Sequence, residues 1–162
     1  LVDEKEKVTS EQMDVWVKDF DSWDVCDQVI MNLFDRVPWA YEKAVEWAGR
    51  EEEFVKRAGY AMMASLAVHD KKASDERFIV FLQVIRTGST DERNFVKKAV
   101  NWALRQIGKR NISLNAEAVK CAREILDLDK RSARWIANDA LRELTGEKVQ
   151  LTLKEGRSRK KQ

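Results

Sequence analysis

The sequence contains very few residues that interrupt a helix. Its 162 residues include one proline, Pro38, and six glycines, and runs of β-branched residues are scarce. Alanine, leucine, glutamate, lysine and arginine, which favour helices, are abundant instead. The composition therefore predicts an all-α protein. With 44% hydrophobic residues, the chain can form one compact domain with a sizeable core.

Long apolar runs and clusters of metal ligands are also missing from the sequence. No window approaches the length of a membrane span, and we expect no signal peptide. The one histidine, His69, has no CxxC or HxxxH motif beside it, so we expect neither a metal site nor a cofactor. Cys26 and Cys121 lie within apolar helical faces, which favours reduced thiols in a core. These features predict an intracellular, cytoplasmic protein.

An excess of positive charge is likewise absent from the chain as a whole. Lysine and arginine number 30 against 28 aspartates and glutamates, which gives a net charge of +2. The segment 147–162 differs, because its end, KEGRSRKKQ, is strongly basic. We expect this tail to be disordered and residues 1–146 to form a single domain. Any DNA-binding surface must then come from the arrangement of charges in that domain.

Helical patterns and breaks alternate along the chain and predict eight helices. Two capping boxes, Thr9 with Gln12 and Ser89 with Glu92, indicate helix starts. FVKRAGYAMMASLA (residues 54–67) matches FVKKAVNWALRQIG (residues 95–108) at an offset of 41. A period near this length with two helices in each repeat is typical of HEAT-like helical hairpins that stack as an α-solenoid. Predicted helices two, four, six and eight would then line a concave binding face.

One tryptophan lies off the apolar stripe of its predicted helix. In FVKKAVNWALRQIGKR (residues 95–110), Trp102 points roughly 140° away from the centre of that stripe. Its helical neighbours on the outer face are Lys98 and Arg105. Because a large aromatic side chain among cations is poor core material, Trp102 is predicted to contact a binding partner.

Three residues on the other predicted second helices complete a candidate site. Trp23 and Asp27 are neighbours at i and i+4 on helix two, and Arg57 lies on helix four. Each has an ordinary explanation: Asp27 could complement a helix N-terminus, Trp23 could be an edge residue, and Arg57 could pair with Glu53. As a set they favour nucleic acid, because cations suit phosphates and tryptophan faces suit sugars, bases or positive charge.

These residues resemble those of the AlkD-like DNA alkylation repair enzymes. The resemblance rests on SWDVCD (residues 22–27), on FVKRAGYA and on FVKKAVNWALRQIGK, and it covers about residues 10–146. It implies a HEAT-repeat DNA glycosylase that excises cationic alkylated bases, chiefly of the 3-methyladenine and 7-methylguanine types. Asp27 matches the family's catalytic carboxylate. Trp23 and Trp102 match its paired cleft aromatics, and Arg57 matches its backbone-contacting arginine.

The resemblance also implies a partner and a reaction. The partner is double-stranded DNA that contains alkylated bases, and the reaction is a monofunctional hydrolysis that leaves an abasic site for base excision repair. We expect a monomer that is associated with the nucleoid when it is bound to DNA. Family members normally have further N-terminal helices, which we expect this chain to lack. The candidate phosphate contacts are Arg57, Lys56, Lys97, Lys98, Arg105, Lys109 and Arg134.

A second function fits the repeat pattern equally well. A non-catalytic HEAT-repeat scaffold would bind DNA or a protein on its concave face, and the family includes members that bind DNA without excising bases. Asp27 beside Trp23 is the feature that favours the enzyme, because a scaffold has no need of an acid on a wall that faces phosphates.

Overall fold

The computed structural model describes residues 7–159, and its regular structure over that range is entirely helical. A 3-10 turn (Phe34–Arg36) follows the second helix, and no helix in this range is long and apolar enough to cross a membrane. The all-α prediction is confirmed. The helices are α1 (Ser10–Lys18), α2 (Trp23–Asn32), α3 (Ala40–Ala48), α4 (Glu53–His69), α5 (Asp75–Gly88), α6 (Asn94–Gly108), α7 (Ile112–Leu126), α8 (Arg131–Leu144) and α9 (Glu147–Arg159).

The helices pack in two layers, and each helical hairpin adds one helix to each layer. Helices α3, α5 and α7 pack against α4, α6 and α8 respectively. In one layer α2 contacts α4, α4 contacts α6, and α6 contacts α8, whereas in the other α3 contacts α5 and α5 contacts α7. Such neighbour-to-neighbour stacking is that of an α-solenoid. The layer of α2, α4, α6 and α8, here called the inner layer, corresponds to the helices predicted to line the concave face.

Helix α4 is at the centre of the inner layer and is buried along most of its length. Every residue from Arg57 to Ala67 is buried, because α2, α3 and α6 pack around it. This burial brings polar groups, including Arg57 and Ser65, into the interior. Buried polar groups require hydrogen-bond partners, so we expect the guanidinium of Arg57 to bond to groups on the helices that surround it.

Gly59 allows α3 and α4 to approach each other closely. A Cβ atom added at Gly59 would lie 2.4 Å from the backbone nitrogen of Ala48 and 2.7 Å from the backbone oxygen of Ala44. Because these backbone atoms cannot rotate away, we expect Gly59→Ala to lower the free energy of unfolding by about 1–3 kcal/mol. Chemical denaturation measures this loss. Gly156→Ala is the control, since a Cβ there meets nothing within 4 Å; an equal loss in both variants would contradict the packing argument.

The two predicted capping boxes have different outcomes. Thr9 and Gln12 form theirs at the start of α1, with the side chain of each residue bonded to the backbone of the other. The box of Ser89 and Glu92 is wrong, because α6 begins two residues after Glu92. Instead, Glu92 Oε1 accepts a hydrogen bond from the backbone N–H of Ser132 at 3.0 Å. Glu92 thus satisfies an otherwise unpaired N–H at the start of α8 and not at the start of its own helix.

The C-terminal segment requires a correction to the sequence-based expectation. Helix α9 covers residues 147–159, where a disordered tail was predicted; the rest of that tail, 160–162, and the first six residues of the predicted domain lie outside the described residues. Gln150 Nε2 donates to the backbone oxygen of Leu144 at 2.7 Å and to Asn115 Oδ1 at 3.1 Å, and Leu153 is buried. These polar and apolar contacts hold α9 against the rest of the protein. The prediction of disorder rested on the basic charge of the segment, which does not indicate such contacts.

Candidate nucleic-acid interface

Asp27 lies on α2 between two partly exposed apolar side chains. Trp23, Asp27 and Met31 follow one another at intervals of four residues and therefore share one face of the helix. Trp23 is 51% exposed and Met31 is 39% exposed. The side chain of Asp27 is 17% exposed, so part of it reaches solvent. Sequence reasoning identified Trp23 but missed Met31, although the same i+4 spacing indicates it.

Arg57 fills the space between α2 and α6 and links three helices of the inner layer. Its Nε donates to Asp27 Oδ1 at 3.2 Å, and its Nη2 donates to Asp27 Oδ2 at 2.7 Å. Its Nη1 donates to the backbone oxygen of Phe95, at the start of α6, at 2.8 Å. Each guanidinium nitrogen of Arg57 thus has a protein acceptor, and the residue is only 6% exposed.

This geometry gives Arg57 a protein partner where the resemblance implies a contact with the DNA backbone. A two-point guanidinium–carboxylate pair fixes the orientation of the carboxylate, which a single-point contact from lysine would not do. Each oxygen of Asp27 accepts one bond from Arg57 and has a second lone pair. The arrangement therefore holds the carboxylate in one direction and leaves it able to interact with a bound molecule.

Trp102 lies on α6 and is partly buried. It is two helical turns beyond Phe95 and on the same side of the helix, since residues seven apart in an α-helix nearly eclipse. Part of its ring packs against the hydrophobic core. The structure thus brings Asp27, Arg57 and Trp23 into one cluster. Trp102 is connected to that cluster through α6, whose first turn Arg57 contacts.

Most of the predicted phosphate contacts are paired with carboxylates of the protein itself. A paired cation contributes less to the positive potential that attracts a phosphate. Exposed ion pairs are weak, about 0–1 kcal/mol. Arg134, whose pair is exposed, is therefore more readily available to a phosphate than the other paired cations. The pairs are Arg57 with Asp27 at 2.7 Å, Lys56 with Asp91 at 3.2 Å, Arg105 with Glu143 at 2.6 Å, Lys109 with Glu143 at 2.7 Å and Arg134 with Asp129 at 3.3 Å.

Two of the carboxylates in these pairs stay ionised at neutral pH. Hydrogen bonds from the side chain of Arg93, with a smaller contribution from Lys56, lower the pKa of Asp91 to about 2. Burial alone would raise the pKa of Glu143, but hydrogen bonds from Lys109 and from the arginine one turn before it hold that pKa below its ordinary value. Lys56 and Lys109 therefore keep their acidic partners under physiological conditions.

Lys97 and Lys98, both on α6, are the candidates that have no carboxylate within ion-pair distance in the described part of the chain. Lys98 is exposed. The Nζ atom of Lys97 lies 5.0 Å from the ring centroid of Trp135 on α8. Of the seven predicted cations, these two have the least compensated charge.

The carboxylate of Asp27 is the reactive group beside Trp23. The neighbouring thiol of Cys26 is fully buried, and burial, together with the charge of Asp27, raises its pKa to about 12. This thiol is therefore protonated and is not a nucleophile at neutral pH. Over residues 7–159 there is no group of three or more His, Cys, Asp or Glu side chains that could hold a metal ion.

Comparison with known proteins gives one family match over most of the chain. A family model described as DNA alkylation repair enzyme matches residues 1–144. No curated protein and no solved structure matches the chain. The matched range includes helices α1 to α8 and therefore contains Trp23, Asp27, Arg57 and Trp102.

Proposed function

The chain belongs to the family of DNA alkylation repair enzymes, and from this we propose that it is a DNA glycosylase of the AlkD-like, HEAT-repeat type. Its substrates would be purines in duplex DNA that alkylation at N3 or N7 has made cationic. It would hydrolyse their N-glycosidic bond and so begin base excision repair. The observation that carries the proposal is the carboxylate of Asp27, which Arg57 holds beside the exposed indole of Trp23.

The charge of the substrate determines what the enzyme must supply. A purine alkylated at N3 or N7 is a cation, so it leaves as a neutral base and needs no proton from the protein. The barrier is the positive charge that develops on the deoxyribose as the glycosidic bond lengthens. A fixed carboxylate beside C1′ stabilises that charge and can orient the attacking water. In this proposal Asp27 has both roles.

The two tryptophans would bind the same part of the substrate. Electron-rich indole faces attract a cation by about 0.5–2 kcal/mol each. Trp23, half-exposed and one turn from Asp27, is placed to contact the sugar or the lesion. Trp102 offers the surface-facing part of its ring from α6. Because this attraction grows as positive charge develops on the sugar, it contributes to the rate as well as to binding.

Arg57 would prepare the carboxylate before the substrate arrives. A group that already points in the required direction needs no reorganisation during the reaction, which is the main source of electrostatic catalysis. The two-point bond from Arg57 supplies this orientation, and the bond to the Phe95 oxygen fixes Arg57 in turn. In this proposal Arg57 is a positioning residue for Asp27.

The experiment that tests the proposal measures free bases released from methylated duplex DNA. We expect 7-methylguanine and 3-methyladenine to appear faster than by spontaneous depurination. The strand should stay intact until alkali cleaves it at the abasic site. Neutral lesions such as hypoxanthine should remain in the DNA, because Asp27 stabilises a cation but supplies no proton to a neutral leaving base. Release of hypoxanthine at a similar rate would contradict this mechanism.

A non-catalytic DNA-binding scaffold is the alternative, and one observation favours it. Both oxygens of Asp27 already accept hydrogen bonds from Arg57, which partly neutralises the carboxylate. A purely structural pair would have the same appearance. If the protein binds duplex DNA but releases no base above the spontaneous rate, the scaffold is the correct function.

A further inference from the structure

Helices α6 and α8 face each other through a regular row of polar contacts. Asn101 Nδ2 donates to Asp139 Oδ2 at 3.0 Å, and one turn later Arg105 Nη1 donates to Glu143 Oε2 at 2.6 Å. The two residues of each pair are 38 positions apart in the chain. Each of these contacts places an acidic side chain of α8 opposite a donor of α6.

The first contact of this row has a different composition. Lys97, one turn before Asn101, meets Trp135 on α8 at the same separation along the chain. Where the following turns of α8 provide Asp139 and Glu143, this turn provides an indole ring. The positive charge of Lys97 is therefore not balanced by a carboxylate of α8, whereas that of Arg105 is.

Trp135 is also open to solvent, although its aromatic side chain is large. It is 42% exposed, whereas Trp47 of the same protein is fully buried. An indole that lies beside an uncompensated ammonium group offers two adjacent binding properties, an apolar surface and a positive charge. A deoxyribose and its phosphate have the complementary properties, because the sugar presents C–H groups that can pack on an indole and the phosphate is anionic.

We propose that Lys97 and Trp135 form a second DNA contact, which binds one sugar–phosphate unit of the duplex at a distance from Asp27. This inference rests on the proposed function, because it assumes that the duplex extends along the inner layer from α2 to α8. Neighbouring packed helices are about 8–10 Å apart, so α2 and α8 are separated by roughly 24–30 Å. At 3.4 Å for each step along a strand, that is about seven to nine base pairs. The contact sets affinity and position on the DNA and does not take part in bond cleavage.

The test uses binding, and so it does not depend on catalysis. We would measure dissociation constants by fluorescence anisotropy for duplexes that carry a stable abasic-site analogue, with arms of about twelve or only about four base pairs on either side. Trp135→Ala should weaken binding of the long-armed duplex about 5- to 20-fold. It should change binding of the duplex whose short arm does not reach α8 by less than about twofold.

Two further variants separate the contribution of the Trp135 indole to DNA binding from that of the Lys97 charge. Trp39→Ala is the matched control, because Trp39 is also 42% exposed but lies at the start of α3, outside the inner layer. Its affinity should stay within about twofold of the wild type. Lys97→Gln should reduce the slope of log K against log salt by about 0.9, the contribution of one phosphate. Circular dichroism confirms that each variant is folded.

The outcomes separate this inference from the proposed function. If Trp135→Ala binds the long-armed duplex as tightly as Trp39→Ala does, the second contact is refuted, whether or not the protein releases bases. If polyglutamate displaces the duplex and its own binding depends equally on Trp135, the pair recognises acidic protein segments and the DNA assignment is refuted. If the wild type binds no duplex at all, the proposed function fails as well. Weaker binding of the long-armed duplex together with an unchanged rate of base release at saturating protein supports the inference.

Discussion

Asp27→Asn should release alkylated purines from methylated duplex DNA roughly 10²–10³-fold more slowly than the wild-type protein, which is the usual cost of losing one well-placed electrostatic group. Asparagine has nearly the shape of aspartate but carries no charge to stabilise the developing sugar cation. Binding of undamaged duplex should change little, because Asp27 contacts no phosphate in this mechanism. Single-turnover assays at saturating protein measure the cleavage step apart from binding.

Asp24→Asn is the control for this prediction. Asp24 lies on the same helix, and its substitution changes the net charge of the protein equally, but its side chain is exposed. Hydrogen bonds from Ser22 and from backbone N–H groups lower the pKa of Asp24, so the control also removes an ionised carboxylate. If both variants release bases at the wild-type rate, Asp27 is not the catalytic group. Equal losses in both would indicate an effect of overall charge.

The second large effect is expected from Arg57→Ala, which should lower the free energy of unfolding by about 2–4 kcal/mol. Removal of the guanidinium leaves the carboxylate of Asp27 without its partner, and it also removes the bond to the backbone oxygen of Phe95. Partial access of Asp27 to water keeps the loss below that of a fully buried pair. The double variant Asp27→Asn/Arg57→Ala should lose less than the sum of the two single changes, and denaturant unfolding of the wild type and all three variants measures the coupling.

Base release by Arg57→Lys distinguishes the two roles considered for Arg57. Lysine keeps the charge but cannot form the two-point bond to Asp27. If Arg57 positions the carboxylate, this variant should release bases more slowly at saturating protein, with an unchanged salt dependence of binding. If Arg57 contacts the DNA backbone, Arg57→Ala should instead reduce the salt slope by about 0.9, as expected for one lost phosphate contact. A reduced slope with a normal cleavage rate would contradict the positioning role.

Several features of the site follow from residue spacing within one helix, and the sequence predicts these well. Trp23 and Asp27 are neighbours because they are four residues apart on a helix. Thr9 and Gln12 form their capping box because both belong to the same turn. Trp102 is a partial success: its spacing correctly places it off the most buried stripe, but its ring still packs against the core at the edge of α6. The spacing of residues within a helix gives the direction in which a side chain points. It does not show how much of that side chain the neighbouring helices cover.

The partners of the cations, in contrast, are not visible in any single helix. Arg57 and Asp27 are 30 residues apart, and Arg105 and Glu143 are 38 apart. Sequence spacing offered Glu53 as a local partner for Arg57, but the structure pairs Arg57 with Asp27 on another helix. The backbone oxygen of Phe95 has no sequence signal at all, because every residue has a backbone oxygen.

By itself, the sequence determined that the chain forms helical hairpins and which residue types lie on each helix, because periodicity, the scarcity of proline and glycine, and local repeats act within a few turns. Only the tertiary structure decided that Arg57 bonds both Asp27 and the first turn of α6, and that Glu92 accepts a hydrogen bond from the start of α8. It also decided that Lys97 packs against an indole ring of α8, whereas Arg105 pairs with a carboxylate of the same helix. The physical reason is that such contacts depend on how far one helix slides along the next. That register results from packing of the whole core, to which residues far apart in the chain contribute together.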